Sequence, residues 1–194
     1  HSLFEGCTAL QTVILPEGPK ELPAYLLKNC ESLNYVSIPE GVTFIGREAF
    51  RGCKLLSRLV LPDSLTGIGN EAFCGCSSLE TLVLPPQLEY FSDYCFASCT
   101  SLTSVTIPAS VKNLVWFGFE GCTALEAVYF LGDAPQYSGA FVDCPKVILF
   151  YPPDAEGWST PTWNNLPAYP YAHVHTFTSQ IVSPTCTEQG YTLQ

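Results

Sequence analysis

Apolar and polar side chains recur along this chain of 194 residues with a period of 23. In each repeat a phenylalanine or leucine stands three residues before a cysteine, and a leucine or valine stands three residues after it. Positions that keep one period over five or more copies indicate stacked structural units, so the pattern predicts a solenoid. The predicted interior ladder comprises Cys7, Cys30, Cys53, Cys76, Cys99, Cys122 and Cys144, together with Phe50, Phe73, Phe96 and Phe119.

Each repeat also contains a short alternating run that ends in proline, as in Val36-Ser37-Ile38-Pro39. Alternation with β-branched residues is typical of a strand, and proline ends the strand because it cannot donate to a ladder. The segment before each cysteine, such as residues 47–53, predicts about one helical turn closed by glycine. The expected fold is an α/β repeat solenoid with short parallel strands and short helical turns.

The coil IPEGVTFIGREAFRGC at residues 38–53 and its neighbours resemble the BspA-like leucine-rich repeats of bacterial surface proteins. The order of the residues and the length of the repeat both agree, over about residues 1–150. This resemblance implies a right-handed superhelix in a secreted or wall-linked, adhesin-like protein that binds host or matrix components. It implies no catalytic residues. The expected location is extracellular or at the cell surface, with the signal peptide and the anchor outside these 194 residues.

Three regions are expected along the chain. About seven coils occupy residues 1–150, and the sixth departs from the repeat at Leu131-Gly132, where a proline would be expected. Residues 151–171 are rich in proline and aromatic residues, and Trp158, Trp163, Tyr169 and Tyr171 suit a cap over the last coil. The alternative is that these aromatic residues form a platform for carbohydrate. Residues 172–194 match no coil and are expected to be a linker or the truncated start of a further module.

The net charge of −10 argues against nucleic acid as a partner, because phosphate binding requires a basic surface. No apolar stretch is long enough to span a bilayer. Half of the eight basic residues lie within twelve positions, at Arg47, Arg51, Lys54 and Arg58. This cluster is either a solvated patch or a docking point for an acidic partner, such as a sulfated or uronic glycan.

The cysteines are interpreted as buried free thiols, because zinc sites need closely spaced pairs rather than a single sulfur in each repeat. Cys74 and Cys95 lie off the ladder in adjacent coils, which leaves a disulfide between them open as an alternative. His173 and His175 with Cys186 could supply three metal ligands, although incidental spacing is the favoured explanation. We therefore predict no metal and no cofactor.

The repeats contain no histidine to serve as a general base, so the chain is predicted not to be an enzyme. The predicted function is a non-catalytic binding or adhesion scaffold, monomeric, that recognises protein or glycan through outward strand positions on its concave face. Tyr35, Arg58 and Tyr129 are the candidate contacts, because tyrosine and arginine are enriched at interface hot spots. The alternatives are a passive spacer and an accessory domain of a larger secreted hydrolase.

Overall fold

A computed structural model describes residues 3–171, which form a stack of coils built from short strands. Most coils contribute a strand of three or four residues to one side and a strand of two residues to another. The strands are β1 (Thr12–Ile14), β2 (Glu21–Leu22), β3 (Tyr35–Ser37), β4 (Phe44–Ile45), β5 (Gly67–Ile68), β6 (Thr81–Val83), β7 (Tyr90–Phe91), β8 (Ser104–Ile107), β9 (Asn113–Leu114), β10 (Ala127–Phe130), β11 (Gln136–Tyr137), β12 (Ile148–Tyr151), β13 (Thr162–Trp163) and β14 (Leu166–Pro170).

The longer strands form parallel ladders whose register follows the sequence repeat. Val105 pairs with Val128, the equivalent residue of the next repeat, and Val13 pairs with Val36 in the same way. One ladder joins β1 to β3, and a second contains β6, β8, β10, β12 and β14, with β13 antiparallel at its edge. Residues 58–60 lie between the two ladders and form no strand. One surface is formed by the outward residues of β1 and β3, of residues 58–60 and of the second ladder. We call this surface the front face.

The two-residue strands form their own parallel ladders, β2-β4-β5-β7 and β9-β11. In the sequence these positions appear only as a short apolar pair, such as Val42 with Ile45, which predicts no strand. Both of these side chains are fully buried. The second ladders therefore close each coil around the core with backbone hydrogen bonds that a two-residue pattern cannot reveal.

The prediction of short helical turns, and with it the α/β class, is wrong: the described residues contain no helix. In every turn that is described in full, two residues have left-handed backbone angles that an α-helix excludes, as in Glu48 (φ 53°) and Gly52 (φ 73°) on either side of Phe50. The turns hydrogen-bond instead to the next coil, where the Phe50 N–H donates to the Ala72 carbonyl at 2.8 Å. We call the surface formed by residues 47–53 and the equivalent segments of other coils the turn side.

The core is organised in columns that run along the stack. The rings of Phe50, Phe73, Phe96, Phe119 and Phe141 stack one on another with centroids 5.1–5.5 Å apart. Each buried cysteine thiol of the interior ladder donates to a backbone carbonyl of the preceding coil at 3.0–3.4 Å. Cys7, assigned to the interior ladder from the sequence, is exposed because no coil of the described chain covers its outer side.

The aromatic segment after the last coil packs against the end of the core. Trp158 lies 4.7 Å from Phe130 and 4.8 Å from Tyr151 between ring centroids, and its indole N–H donates to the Gly132 carbonyl at 3.1 Å. Trp163 is buried against Trp158. These contacts favour the cap over the carbohydrate platform for both tryptophans, and the capping role itself stays a prediction.

Candidate functional site

A cleft opens on the front face where the ladder is interrupted. It has a volume of about 360 Å³ and is lined by Tyr35, Val36, Ser37 and Ile38 of the β3 region and by Arg58 and Val60. Both outward-facing and core-facing side chains line the cleft, so it extends from the surface into the gap between β3 and residues 58–60. Two of the three predicted contact residues, Tyr35 and Arg58, therefore share one cavity.

The side chains of this cleft are available to a ligand. Tyr35 is 48% exposed and Val60 is 53% exposed. Within residues 3–171, no salt bridge includes Arg58. A guanidinium without an intramolecular carboxylate, beside an aromatic ring and an apolar side chain, is suited to contact a partner that carries an acidic group.

Tyr129, the third predicted contact residue, lies in a different part of the front face. It is on β10 of the longer ladder, is half-buried, and stacks on Phe150 with ring centroids 5.3 Å apart. Phe150 in turn pairs with Tyr169 on β14. Tyr129 therefore belongs to an aromatic row near the C-terminal end of the solenoid, and the structure does not bring it to the cleft.

The cluster of basic residues does not form a common docking surface. Arg47 and Arg51 lie on the turn side, where both contact the carboxylate of Glu48 at 3.0 and 3.1 Å. Lys54 forms a salt bridge with Glu31 at 2.8 Å. Three of the four cations are thus neutralised by neighbouring carboxylates, and only Arg58 faces the front cleft.

Glu48 is the most strongly perturbed carboxylate of the described chain. Its side chain is 4% exposed, and Lys28 contacts it at 2.8 Å in addition to Arg47 and Arg51. Burial alone would raise the pKa of Glu48, but hydrogen bonds from Lys28, Arg51 and Arg47 outweigh burial and lower the pKa to about 2. The group stays ionised at neutral pH, so this is a structural ion network rather than a proton-transfer site.

The buried cysteines lie in environments that suppress thiol chemistry. All nine described cysteines are free thiols, including Cys74 and Cys95, for which a disulfide was an alternative. Burial raises the pKa of Cys53 and of Cys144 to about 12, and it raises the pKa of Cys95 well above its ordinary value. A thiolate nucleophile is disfavoured at these positions because the protonated form persists at neutral pH.

Within residues 3–171, no group of three or more histidine, cysteine or acidic side chains is arranged to hold a metal ion. The possible ligand set of His173, His175 and Cys186 lies outside the described residues, as does the region 172–194 expected to be a linker or partial module. No helix of sufficient length and hydrophobicity to cross a membrane occurs in the described part of the chain.

One group of partly exposed aromatic residues was not found from the sequence. Trp116, Phe117 and Tyr94 form a cluster of aromatic rings on the turn side, and Trp116 is 58% exposed. In the sequence these residues fall within otherwise regular coils. A signal was present, because Trp116 occupies a position that is polar or small in the other coils, such as Arg47 and Asp93.

Stacked parallel coils, a ladder of buried leucine, phenylalanine and cysteine, and an open strand face define a leucine-rich-repeat solenoid. The sequence matches the family described as BspA type Leucine rich repeat region, in six copies over residues 1–126. The chain belongs to this BspA-type leucine-rich-repeat family.

Solved structures agree with this assignment. A leucine-rich-repeat protein of T. pallidum is 34% identical in sequence, with a TM-score of 0.65, over 71% of this chain and 67% of that chain. The pneumococcal vaccine antigen PcpA is 24% identical, also with a TM-score of 0.65, over 74% of this chain and 36% of that protein, and this similarity shows the fold alone. No protein of curated function matches the sequence significantly.

Proposed function

We propose that this protein is a non-catalytic binding scaffold that acts at the cell surface or outside the cell and recognises a protein partner through its front face. The observation that carries the proposal is the cleft at the interrupted ladder, where exposed Tyr35, unpaired Arg58 and exposed Val60 line one cavity. Membership of the BspA-type family supports a scaffold role. The extracellular location rests on the same family resemblance.

The chemistry of the cleft favours a partner that combines an apolar or aromatic group with a carboxylate. Arg58 would pair with the carboxylate, while Tyr35 and Val60 would cover the apolar part. The exposed apolar residues Ile14 and Val83 lie on neighbouring strands of the same face and would extend the contact along the stack. Tyr129 is a separate candidate contact at the other end of the face.

The test is a binding screen of the purified chain against an array of extracellular matrix proteins and glycans, followed by titration of each binder. Tyr35→Ala and Arg58→Ala should each weaken binding by about tenfold, because hot-spot side chains contribute that much. Tyr90→Ala is the matched control, since Tyr90 is equally exposed but lies on β7 of the two-residue ladder. Tyr129→Ala tests the second part of the front face.

Two results would overturn the proposal. Binding that is unchanged in the Tyr35→Ala/Arg58→Ala double variant would remove the front cleft as the binding site. A screen in which no array member binds would instead support a passive spacer, which retains no specific ligand.

A further inference from the structure

A second surface, on the turn side rather than the front face, has its own chemistry. It is formed by two columns of residues that flank the phenylalanine ladder. The outer column, two residues before each ladder position, contains Tyr25, Glu48, Glu71, Tyr94 and Phe117, and the flanking column, one residue after each ladder position, contains Lys28, Arg51, Cys74, Ala97 and Glu120.

Side chains of these two columns contact each other in the first coils. Arg51 reaches Glu48 of its own coil at 3.1 Å and Glu71 of the next coil at 3.0 Å. Lys28 lies over the ring of Tyr25 in its own coil, with its ammonium 5.1 Å from the ring centroid. The scaffold therefore already places a cation from the flanking column on an aromatic ring of the outer column.

In the later coils the aromatic rings remain and the cation is missing. Tyr94 stacks on Phe117 with centroids 5.0 Å apart and planes 19° apart, and Trp116 lies 5.8 Å from Phe117. The flanking positions are held by Ala97 and Glu120 instead of lysine or arginine. Glu120 stands at the same offset from Phe117 as Lys28 does from Tyr25, so its carboxylate belongs at the edge of the aromatic cluster.

The cluster has one open side. Trp116 is 58% exposed and Tyr94 is 38% exposed. Gly139 of the next coil lies close to the indole of Trp116, because a Cβ added to Gly139 would stand 3.8 Å from Cε3 of the indole. Trp116 therefore contacts Phe117 and lies near Gly139, and more than half of its surface remains open to a ligand.

The charge around the cluster defines the kind of ligand. Residues 59–145 contain nine acidic side chains and a single basic one, Lys112. Within the described part of the chain, neither Asp93 nor Glu120 takes part in a salt bridge. Asp93 holds the position equivalent to Trp116 one coil earlier. Exposed aromatic faces bordered by unpaired carboxylates attract a cation through both the ring quadrupole and the negative charge.

We propose that Trp116, Phe117, Tyr94 and Glu120 form a binding site for a cationic side chain, arginine or lysine, of a partner polypeptide. The guanidinium or ammonium group lies on the aromatic cluster, in the place that Lys28 takes over Tyr25, and pairs with Glu120. This site lies on a different side of the coils from the front cleft. It prefers a cationic group, whereas the cleft prefers a carboxylate, so the site does not depend on the proposed function.

The probes are N-acetylated hexaarginine amide, its uncharged analogue N-acetylated hexacitrulline amide and the neutral sugar cellohexaose, titrated into the purified chain by calorimetry at 0.15 M NaCl. Hexaarginine should bind and the other two should not. Trp116→Ala should weaken hexaarginine binding by about fivefold, which is the contribution of one cation–aromatic contact. Glu120→Lys should weaken it by about tenfold, because the new lysine covers the ring and removes the carboxylate.

Glu89→Lys is the matched control for overall charge, since it changes the net charge as much as Glu120→Lys does and Glu89 is an exposed residue next to β7. Its hexaarginine affinity should stay within about twofold of the unmodified chain at this ionic strength. Thermal unfolding of every variant verifies that it is folded, and Trp116→Phe, which keeps an aromatic face, should retain most of the affinity.

The proposal is overturned if Glu89→Lys weakens binding as much as Glu120→Lys, because attraction would then depend only on net charge. It is also overturned if Trp116→Ala binds hexaarginine normally. Binding of cellohexaose that Trp116→Ala abolishes would show a carbohydrate platform in place of a cation site.

Discussion

Glu48 connects three cations on the turn side, and replacing it with glutamine is expected to destabilise the fold in a manner that depends on pH. The amide keeps the size of the side chain and removes its charge. Lys28, Arg47 and Arg51 then lose their common carboxylate partner, which all three contact at 2.8–3.1 Å. The side chains of these cations are 22–59% exposed, so hydration compensates for part of the lost interaction with the carboxylate.

The expected loss of stability follows from the pKa of Glu48. A tenfold change in an ionisation constant corresponds to about 1.4 kcal/mol. The fall in the pKa of Glu48 from 4.5 to about 2 therefore corresponds to about 3 kcal/mol of stability in the ionised state. Because the pKa is lower in the folded chain than in the unfolded chain, this contribution is fully present above about pH 4.5. It is lost progressively as the pH falls towards 2.

The assay is urea unfolding followed by tryptophan fluorescence at several pH values between 7 and 2. Urea is preferred to guanidinium chloride because a salt would screen the ion network. Glu48→Gln should lower the free energy of unfolding by about 2–3 kcal/mol at pH 7, and this difference should shrink towards zero near pH 2. The slope with urea should be unchanged, which shows that the variant unfolds from a similarly compact state.

Glu71→Gln is the matched control. Glu71 occupies the same column in the next coil and has nearly the same backbone angle, φ 56° against 53° for Glu48, so backbone strain cancels in the comparison. Its side chain is 25% exposed and contacts Arg51 alone at 3.0 Å. We expect a loss below about 1 kcal/mol. The reasoning is refuted if both substitutions cost the same, or if the cost of Glu48→Gln is as large at pH 2 as at pH 7.

Three further predictions concern the core, the thiols and the cap. Phe73→Ala should lower the free energy of unfolding by about 3–5 kcal/mol and Phe73→Leu by less than about 1.5 kcal/mol, measured by urea unfolding, because Phe73 is fully buried between two stacked rings. Equal losses in the two variants would contradict this. Iodoacetamide at pH 8 should label exposed Cys7 in the folded chain and Cys53 only after unfolding, as read by mass spectrometry. The reason is that burial raises the pKa of the Cys53 thiol to about 12. Rapid labelling of Cys53 in the folded chain would contradict the buried ladder. Trp158→Ala should cost roughly 2–3 kcal/mol and Trp158→Phe clearly less, because Trp158 packs on Phe130 and Tyr151; an unchanged thermal midpoint for Trp158→Ala would exclude a capping role.

The repeat in the sequence was sufficient to predict the stack and the register of its longer strands. Val105 and Val128 pair at the separation that the repeat sets. Where the repeat is shorter, the sequence separation between paired residues is shorter as well. Val128 pairs with Leu149, whereas the regular period would pair it with Tyr151. The register follows because a strand that slipped by one residue would turn its core side chains outward.

The turn conformation could not be predicted in the same way. Residues 47–53 contain good helix formers, and local propensity therefore favoured a helical turn. Contacts between coils decide the outcome instead: the Glu48 N–H donates to Asn70 of the next coil at 2.9 Å, and Gly52 N–H donates to Cys74 at 2.8 Å. The helix propensity of the residues in one repeat cannot reveal these hydrogen bonds, because their acceptors belong to the following repeat.

The candidate site was only partly accessible from the sequence. Tyr35 and Arg58 were found because they occupy outward strand positions in a regular column. The cleft between them depends on the interruption at residues 58–60, whereas the alternating pattern continues through Leu59-Val60-Leu61 as if a strand were present. The neutralisation of Lys54 was also hidden, because Lys54 and its carboxylate partner Glu31 lie in different coils.

The two surfaces show how one scaffold can carry unrelated chemistry. Backbone hydrogen bonds and the buried columns fix the position of every coil, so equivalent residues of successive coils are neighbours whatever their side chains are. On the turn side, the same two columns hold an ion network around Glu48 and, further along, the aromatic cluster that contains Trp116. Since exposed positions contribute little to the core, such columns can change composition without changing the fold. Binding chemistry in this solenoid is therefore best sought where a column departs from the residue type that its neighbours share, as Trp116 does on the turn side and Arg58 on the front face.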